Sequence, residues 1–304
     1  MSRLTTLRHR LEAWWFDDVA IHPFVVCRIG LGLMLLHCYT VYFSERLWDV
    51  FGPNGLATFF YGTPWFATSA GTFRLSYALL LFAALCFTFG FATRISGILL
   101  IFLHHEFVQL GAMSTWGWKW EILPFLNCLV FAPSGGAYSI DAWLQKRWGS
   151  QGAIEKTSGW PLRLMQWHLA AMYAAAAWQR LDDANWLQGK MVFAAMNNLI
   201  FARFPHVDWF ALKPVLEFFC HATLILEVAA PLLLWHKKGG PWIVLGLVLM
   251  HVGLEVSTMT GYWHCMLSIV LVCFLPAKFS QRLLELIPTQ WSRAVWRKRR
   301  TQPG

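Results

Sequence analysis

The stretch of sequence that decides the fold is His168-Leu-Ala-Ala-Met-Tyr173-Ala-Ala-Ala-Ala-Trp178-Gln-Arg180-Leu-Asp182-Asp183-Ala-Asn-Trp186-Leu-Gln-Gly189-Lys190. It begins as an apolar run of small residues, which allow neighbouring helices to approach closely inside a membrane. It ends in charged residues and a Trp, which is typical of a span where it leaves the hydrocarbon. We therefore expect a helical membrane protein whose chemistry lies at this exit.

The composition also indicates a membrane protein. Of the 304 residues, 57% are hydrophobic and 13% are charged, whereas about a quarter of the residues in a soluble domain are charged. The net charge of +9 belongs to a chain of repeated apolar runs, in which basic residues usually mark the cytoplasmic ends of spans. We therefore expect the lipid bilayer to be a partner of the chain and nucleic acid not to be one.

The apolar runs predict an all-α, polytopic transmembrane helical bundle with about eight spans. A span needs about 20 predominantly apolar residues, and fewer when it lies inside a bundle. Such runs lie at 24–43, 75–92, 95–113, 120–132, 163–180, 215–235, 241–258 and 262–276. They define a predicted transmembrane domain at 24–280, which follows a basic amphipathic N-terminal segment at 1–23 and precedes a basic tail at 281–304.

The distribution of Lys and Arg predicts the orientation of the spans. With the N-terminus in the cytoplasm, the inner segments hold the basic residues of both terminal segments, together with Arg94, Lys146-Arg147 and Lys237-Lys238. The outer segments hold a smaller share. Because cytoplasmic loops carry an excess of Lys and Arg, both termini are expected to be cytoplasmic.

Several motifs carry a family resemblance. The order of small-apolar helix, basic residue, Leu-Asp and then Asn185-Trp-Leu-x-Gly189 resembles the segment that holds the catalytic base in vitamin K-dependent gamma-carboxylases and their relatives, the HTTM (horizontally transferred transmembrane) family. Other motifs similar to the HTTM pattern are Arg28-Ile-Gly30, Phe87-x-x-Gly90-x-x-Thr93-Arg94, Pro133 to Asp141, and His251 with Gly261. Their shared order along the chain identifies it as a member of that family.

The resemblance implies a membrane-embedded enzyme that uses a lipid-soluble quinol and has a cavity toward the extracytoplasmic side. The carboxylases have a Lys where this chain has Arg180. A guanidinium does not readily release its proton, whereas a desolvated amine does, so we expect no glutamyl carboxylation. The candidate catalytic residues are Arg180, His251 and Glu255, with Glu255 orienting the His251 ring. The candidate cofactor-binding residues are His168 and Trp186.

Arg180 has two interpretations from the residues alone. With Asp182 and Asp183 it can form a salt-bridged helix end that has no further role. Its fork of N–H groups can instead bind an anion, such as a carboxylate or the oxygen of a quinone. The sequence leaves both open.

Some His and Glu residues lie in apolar runs at spacings that suggest a metal site. Glu217 and His221 are four residues apart, as are His251 and Glu255, so each pair shares a helix face. His104 and His105 are adjacent, and such side chains on facing helices can build a metal site. We favour the simpler interpretation that these side chains satisfy each other's hydrogen bonds in a bundle interior, and we expect no metal.

Two functions from different classes follow. The first is a membrane-embedded, quinol-linked enzyme that is not a glutamyl carboxylase. The second is a non-catalytic membrane factor for the maturation, export or immunity of a small secreted peptide. A transporter ranks third, because paired broken helices in repeated halves are not apparent in the sequence. In a bacterium the protein is expected in the plasma (inner) membrane.

The predicted orientation can be tested by labelling single cysteines from outside intact cells, in a background free of the native cysteines. Substitutions Asn54→Cys and Asn197→Cys should be labelled because both positions lie in predicted outer loops. Substitutions Ser150→Cys and Gln302→Cys should stay unlabelled until the cells are opened. Labelling of Ser150→Cys in intact cells would reverse the arrangement.

Overall fold

The computed structural model describes residues 3–42, 69–110, 118–148 and 154–287, and these residues are mostly helical. The predicted all-α class is therefore confirmed. Within the described ranges the helices, numbered in chain order, are α1 Arg3–Phe16, α2 His22–His37, α3 Ala70–Phe89, α4 Thr93–Leu110, α5 Trp118–Phe131, α6 Ile140–Arg147, α7 Trp160–Leu181, α8 Ala184–Leu187, α9 Lys190–Met196, α10 Lys213–Leu233, α11 Gly240–Ser257, α12 Trp263–Val270 and α13 Ala277–Glu285.

Short irregular elements complete these helices. A π-helical turn, Cys38–Tyr42, extends α2, and a 3₁₀ turn, Leu271–Phe274, extends α12. Strand β1, Asp18–Ala20, pairs antiparallel with strand β2, Lys156–Ser158. The strands therefore join the end of α1 to the start of α7.

The helices belong to two compact units. The first unit comprises the chain up to Leu164 together with the chain from Pro276 onward, and the second comprises Met165–Leu275. In the first unit α3 packs against α2 and α4, α4 packs against α5, and α13 packs against α2. In the second unit α10 packs against α9 and α11, and α11 packs against α12.

Small residues set the close approach of helices in the first unit. A Cβ added to Gly32 of α2 would lie 2.2 Å from the hydroxyl of Thr88 on α3, so glycine is needed where these helices meet. The N-cap of helix α3 is Ser69, whose side chain accepts a hydrogen bond from the Thr72 amide. Its C-cap is Gly90, which has a φ of 68°. This left-handed conformation favours glycine and turns the chain directly into α4.

Each of the eight predicted apolar runs coincides with a helix. Four of these helices are long and apolar enough to cross a membrane: His22–Val41, Ala70–Phe89, Lys213–Leu233 and Gly240–Ser257. The other four runs form helices that are shorter or that contain more polar residues. Large apolar side chains on the long helices face outward, including Phe82, Ile225 and Trp242. Such surfaces are stable in lipid but not in water.

The connection between α5 and α7 contains a turn-rich segment and helix α6, whose N-cap is Ser139. Most of the predicted outer loop 44–74 lies outside the described residues. So do the labelling positions Asn54, Ser150 and Gln302.

Arg28 organises the loop that follows α5. Its side chain is fully buried and donates hydrogen bonds to the carbonyl oxygens of Ser134 at 2.5 Å and Tyr138 at 2.7 Å. A Cβ added to Gly90 would lie 2.8 Å from the Arg28 guanidinium, so the α3–α4 turn closes over it. The Asp141 carboxylate then accepts hydrogen bonds from the amide and hydroxyl of Thr93 at 2.8 and 2.6 Å. Two charged side chains, Arg28 and Asp141, therefore fix the loop after α5 and the α3–α4 turn.

Replacement of Arg28 should destabilise the protein strongly. Arg28→Leu leaves two buried carbonyl groups without donors and should cost about 3 kcal/mol or more of the free energy of unfolding, measured in detergent. Arg28→Lys should recover part of this loss, because an ammonium donates hydrogen bonds but lacks the planar fork. Arg94→Leu, close by on α4, is the matched control and should have little effect. Equal stability of the Arg28→Leu and Arg94→Leu variants would contradict the proposed role.

Candidate functional site

Helix α7 positions the first residues of the candidate site. Tyr173 and Arg180 are seven residues apart, which is two helical turns and about 10.5 Å along the axis, so both lie on one face. Side chains in a helix lean toward its N-terminus, which directs the long Arg180 side chain back toward Tyr173. Tyr173 is buried, whereas the Arg180 side chain is 26% exposed.

Tyr173 starts a chain of three hydrogen-bonded side chains. Its hydroxyl lies 2.8 Å from Nε2 of His251 on α11. Nδ1 of His251 lies 3.0 Å from Nδ1 of His264 on α12. Both His residues are buried, at 2% and 8% exposure. The site therefore contains a continuous Tyr–His–His chain inside the second unit.

Arg180 is paired with Glu227. The Arg180 guanidinium forms an ion pair with the carboxylate of Glu227 on α10, whose side chain is 5% exposed. Pro231 follows four residues later within α10, and it has no N–H to donate to the Glu227 carbonyl. The helix continues through Pro231, but it lacks one backbone hydrogen bond at the turn that presents this carboxylate. A buried carboxylate needs a paired cation, so Glu227 stabilises the charged form of Arg180.

The Arg180 guanidinium also contacts an aromatic ring and interacts electrostatically with the Tyr–His–His chain. The guanidinium carbon lies 4.3 Å from the ring centroid of Trp186, a cation–π distance. Its charge acts electrostatically on Tyr173, His251 and His264. Of the candidate cofactor-binding residues, Trp186 therefore lies beside Arg180. His168 lies twelve residues before Arg180 on α7, about 18 Å away along the helix axis.

The expected contact between His251 and Glu255 is replaced by other contacts. Both ring nitrogens of His251 are bonded to Tyr173 and His264. Glu255 is partly exposed, and its carboxylate lies 4.0 Å from the Arg203 guanidinium. The physical reason is geometric: helix packing brings two other helices to the buried His251, while Glu255, one turn later, lies near the end of α11. Arg180 and His251 thus belong to one site, and Glu255 contacts a different group.

The candidate metal ligands Glu217 and His221 bond to backbone carbonyl groups and to a lysine. His221 is exposed, and its ring nitrogens lie 2.9 Å from the carbonyl oxygen of Glu217 and 3.2 Å from that of Leu187. The Glu217 carboxylate, which was expected to bond His221, instead lies 3.8 Å from Nζ of Lys213. His221 therefore bonds to backbone carbonyl groups of α10 and α8 rather than to the Glu217 carboxylate.

The adjacent histidines in the first unit also point to different partners. His104 is fully buried, and its ring bonds to the Tyr39 hydroxyl at 2.8 Å and to the Lys119 carbonyl at 2.9 Å. His105 lies 3.4 Å from the Glu106 carboxylate. In the part of the chain that the structure describes, no group of three or more His, Cys, Asp or Glu side chains is arranged to hold a metal ion.

A family comparison covers both units. A family model for the HTTM domain matches residues 16–277. The chain belongs to the HTTM family. No curated protein matches it, and no solved structure does.

The HTTM motifs that the sequence presents are therefore distributed between two sites. Arg28, Gly90 and Asp141 form the loop-fixing contacts of the first unit. Arg180 and His251 lie in the candidate site of the second unit. In this chain the motif residues of the first unit contact loop backbone and turn residues, and those of the second unit lie in the candidate site.

Sequence reasoning missed three residues of the candidate site: Tyr173, Glu227 and His264. The position of Tyr173, two turns before Arg180, could have predicted that the two side chains lie on one helix face. Glu227 and His264 are ionisable residues inside apolar runs, which are usually paired or functional. Their partners lie on other helices, and no sequence spacing identifies such a pair.

A double-mutant cycle can test the Tyr–His contact. Single substitutions Tyr173→Phe and His251→Leu should each destabilise the protein because each removes the same interhelical hydrogen bond. The loss in the double mutant should therefore be smaller than the sum of the two single losses by about 0.6–1.5 kcal/mol. The cycle between His251→Leu and Glu255→Leu should be additive within about 0.5 kcal/mol. Free energies of unfolding in mixed detergent provide the measurement. Coupling in the second cycle and additivity in the first would refute this assignment.

Proposed function

We propose that this HTTM protein is a membrane-embedded enzyme that binds a lipid-soluble quinol or a similar redox partner and takes up a proton from it. The observation that carries the proposal is the buried Tyr173–His251–His264 chain beside the Arg180 cation. Chains of ionisable side chains inside membrane proteins are typical of proton relays.

The hydrogen-bonding pattern suits a proton relay. Two nitrogens in contact, Nδ1 of His251 and Nδ1 of His264, share a single hydrogen when both rings are neutral. In one arrangement Tyr173 donates to His251, which donates to His264. In the other, His264 donates to His251, which donates to Tyr173. In the change from the first arrangement to the second, Tyr173 gives its proton to His251 and takes one from the quinol, while His264 receives a proton at Nδ1 and releases one from Nε2. One proton thus enters the chain at Tyr173 and one leaves it at His264.

Arg180 supplies a positive charge that can stabilise the deprotonated quinol. A quinol carries ionisable hydroxyl groups and supplies electrons when it is oxidised. When the relay takes a proton from an O–H bond, the electron pair stays on the oxygen, and a guanidinium with five donors can stabilise that negative charge. Glu227 uses part of the Arg180 fork. Trp186, beside the guanidinium, offers a flat apolar surface for a ring.

The same site argues against glutamyl carboxylation. The family resemblance places the base at Arg180, and the ion pair with Glu227 favours the protonated guanidinium. Lys190, ten residues later, is exposed, and its Nζ lies 2.5 Å from the Gln188 side chain. The amine that follows Arg180 in this part of the chain is therefore an exposed one with a side-chain partner, rather than a desolvated one at the position of the base.

We also propose the finer membrane arrangement. Eight helices correspond to the eight apolar runs, and the connecting segments carry the basic bias described above. These observations support a multi-pass protein with eight spans, cytoplasmic termini and a cavity toward the extracytoplasmic side. In a bacterium it would lie in the inner membrane.

The direct test is mass spectrometry of lipids that copurify with the detergent-solubilised protein. We expect a stoichiometric quinone or quinol in the native protein. Arg180→Lys keeps a cation for Glu227 but loses the fork, and occupancy should fall by about tenfold, as expected for one charge-assisted hydrogen bond. Arg203→Lys is the matched control. Arg203 donates to the carbonyl oxygens of Glu255 and Thr258, so its loss should not change occupancy.

A different copurification result would overturn the proposal. Protein that contains a bound peptide and no quinone would support a non-catalytic factor for a secreted peptide. Equal quinone loss in the Arg180→Lys and Arg203→Lys variants would show a general defect rather than a contact at Arg180.

The same preparations distinguish this function from carboxylation. With reduced vitamin K, carbon dioxide and glutamyl peptides, we expect neither carboxylated peptide nor epoxide. The variants Lys190→Met and Lys119→Met cover the two alternative amines, since Lys119 is a buried Lys in the first unit. Epoxide that one of these substitutions abolishes would identify a different base and contradict the proposed chemistry.

A further inference from the structure

A groove between α4 and α5 of the first unit combines apolar walls with ionisable side chains. Its volume is about 610 Å³, within the usual range of about 300–1,000 Å³ for small-molecule sites. The walls are apolar, and the polar side chains are His105, Glu106 and Asn127. None of these residues belongs to the Tyr–His–His site or to Arg180 and its partners.

The rim of the groove faces outward with apolar side chains. Ile98 and Phe131 are 59% and 61% exposed, and Phe102 is about half-exposed. All three belong to predicted spans or their immediate ends, so the groove opens toward hydrocarbon. A ligand would therefore enter from the bilayer and bring an apolar body with it.

The polar side chains lie at a depth where polar groups are costly. Glu106 is eleven residues, or about 16 Å, from the start of the predicted span at residue 95, near the middle of a hydrocarbon core about 30 Å thick. A carboxyl group at this depth costs about 2.5–3.5 kcal/mol on insertion scales and is usually functional or paired.

The contacts that the protein supplies to these groups are weak. His105 lies 3.4 Å from the Glu106 carboxylate and 3.4 Å from the Gln109 amide. Hydrogen bonds of normal strength have distances of about 2.7–3.2 Å. The Asn127 side chain donates to the carbonyl of Leu123, and its own carbonyl oxygen remains an acceptor. The groove therefore holds acceptors and a carboxyl group that a ligand can bond.

We infer that this groove binds a lipid alcohol, an uncharged molecule with an apolar chain and a hydroxyl group. The hydroxyl would donate to Glu106 or Asn127 and accept from His105, while the chain lies against Ile98, Phe102 and Phe131. A charged head group does not fit because it belongs at the membrane interface rather than at this depth. An alkane does not fit because it leaves the polar groups without partners.

The test uses the full-length protein and photoactivatable hexadecanol with a diazirine on its chain. Labelled peptides should map to α4 and α5. Unlabelled hexadecanol should compete with the probe about tenfold more strongly than hexadecane, as expected for a hydrogen bond to a buried carboxyl group. Equal competition by hexadecane would show general lipid contact, and equal competition by palmitate would show that an uncharged head is not required. Either result overturns the inference.

Two matched substitutions on one helix locate the site. Ile98→Trp fills the groove and should reduce labelling about tenfold, whereas Ile95→Trp, at an exposed position of α4 outside the groove, should not. Glu106→Leu should remove the preference for hexadecanol over hexadecane. Thermal unfolding of each variant verifies its fold. Absence of labelling together with crosslinking of α4 and α5 to a second copy of the chain would show that the groove is a protein interface instead.

Discussion

The ion pair between Arg180 and Glu227 constrains how the helices of the second unit pack. Separately, each charge would be costly in a membrane, by about 2.5–3.5 kcal/mol on insertion scales. Together on α7 and α10 they compensate each other. Loss of one partner would leave the other as an uncompensated charge, at a cost of about 3–5 kcal/mol. The C-terminal end of α7 must therefore meet the interior of α10 at this pair, and this places Trp186 and the Tyr–His–His chain within reach of the Arg180 charge.

The first unit uses the same principle for a different purpose. Arg28 is fully buried, and its partners are two backbone carbonyl groups in the loop after α5. Carbonyl groups cannot accept protons or change their charge, so this arrangement fixes geometry and has no acid–base chemistry to offer. Arg180 instead faces a carboxylate and lies near titratable side chains. Arg180 therefore has neighbours that the proposed proton transfer can use, whereas the bonded partners of Arg28 are loop carbonyl groups.

Sequence reasoning predicted the helices well because their signal is local. Twenty apolar residues in a row and the motif around Arg28 are visible without any knowledge of packing, and the eight apolar runs and the family membership were found in this way. The i, i+4 spacing is also local, but the hydrogen bonds that it suggested between His251 and Glu255 and between Glu217 and His221 are replaced by other contacts. That spacing indicates which side chains share a face and not what else approaches that face. The hydrogen-bond partners of His251 lie on α7 and α12, and those of His221 are backbone carbonyl groups.

The three site residues that sequence reasoning missed were missed for the same physical reason. Tyr173, Glu227 and His264 come from three helices, and their proximity depends on how those helices pack. In a membrane, packing is not driven by the exclusion of apolar side chains from water, because lipid is as apolar as the helices. Polar contacts between helices therefore contribute more to the choice of neighbours. In this protein the buried polar side chains that define the candidate site are also contacts that hold α7, α10, α11 and α12 together. For that reason, a functional test at this site is informative when it uses substitutions that keep charge and shape, such as Arg180→Lys and Tyr173→Phe, rather than truncations that would also separate the helices.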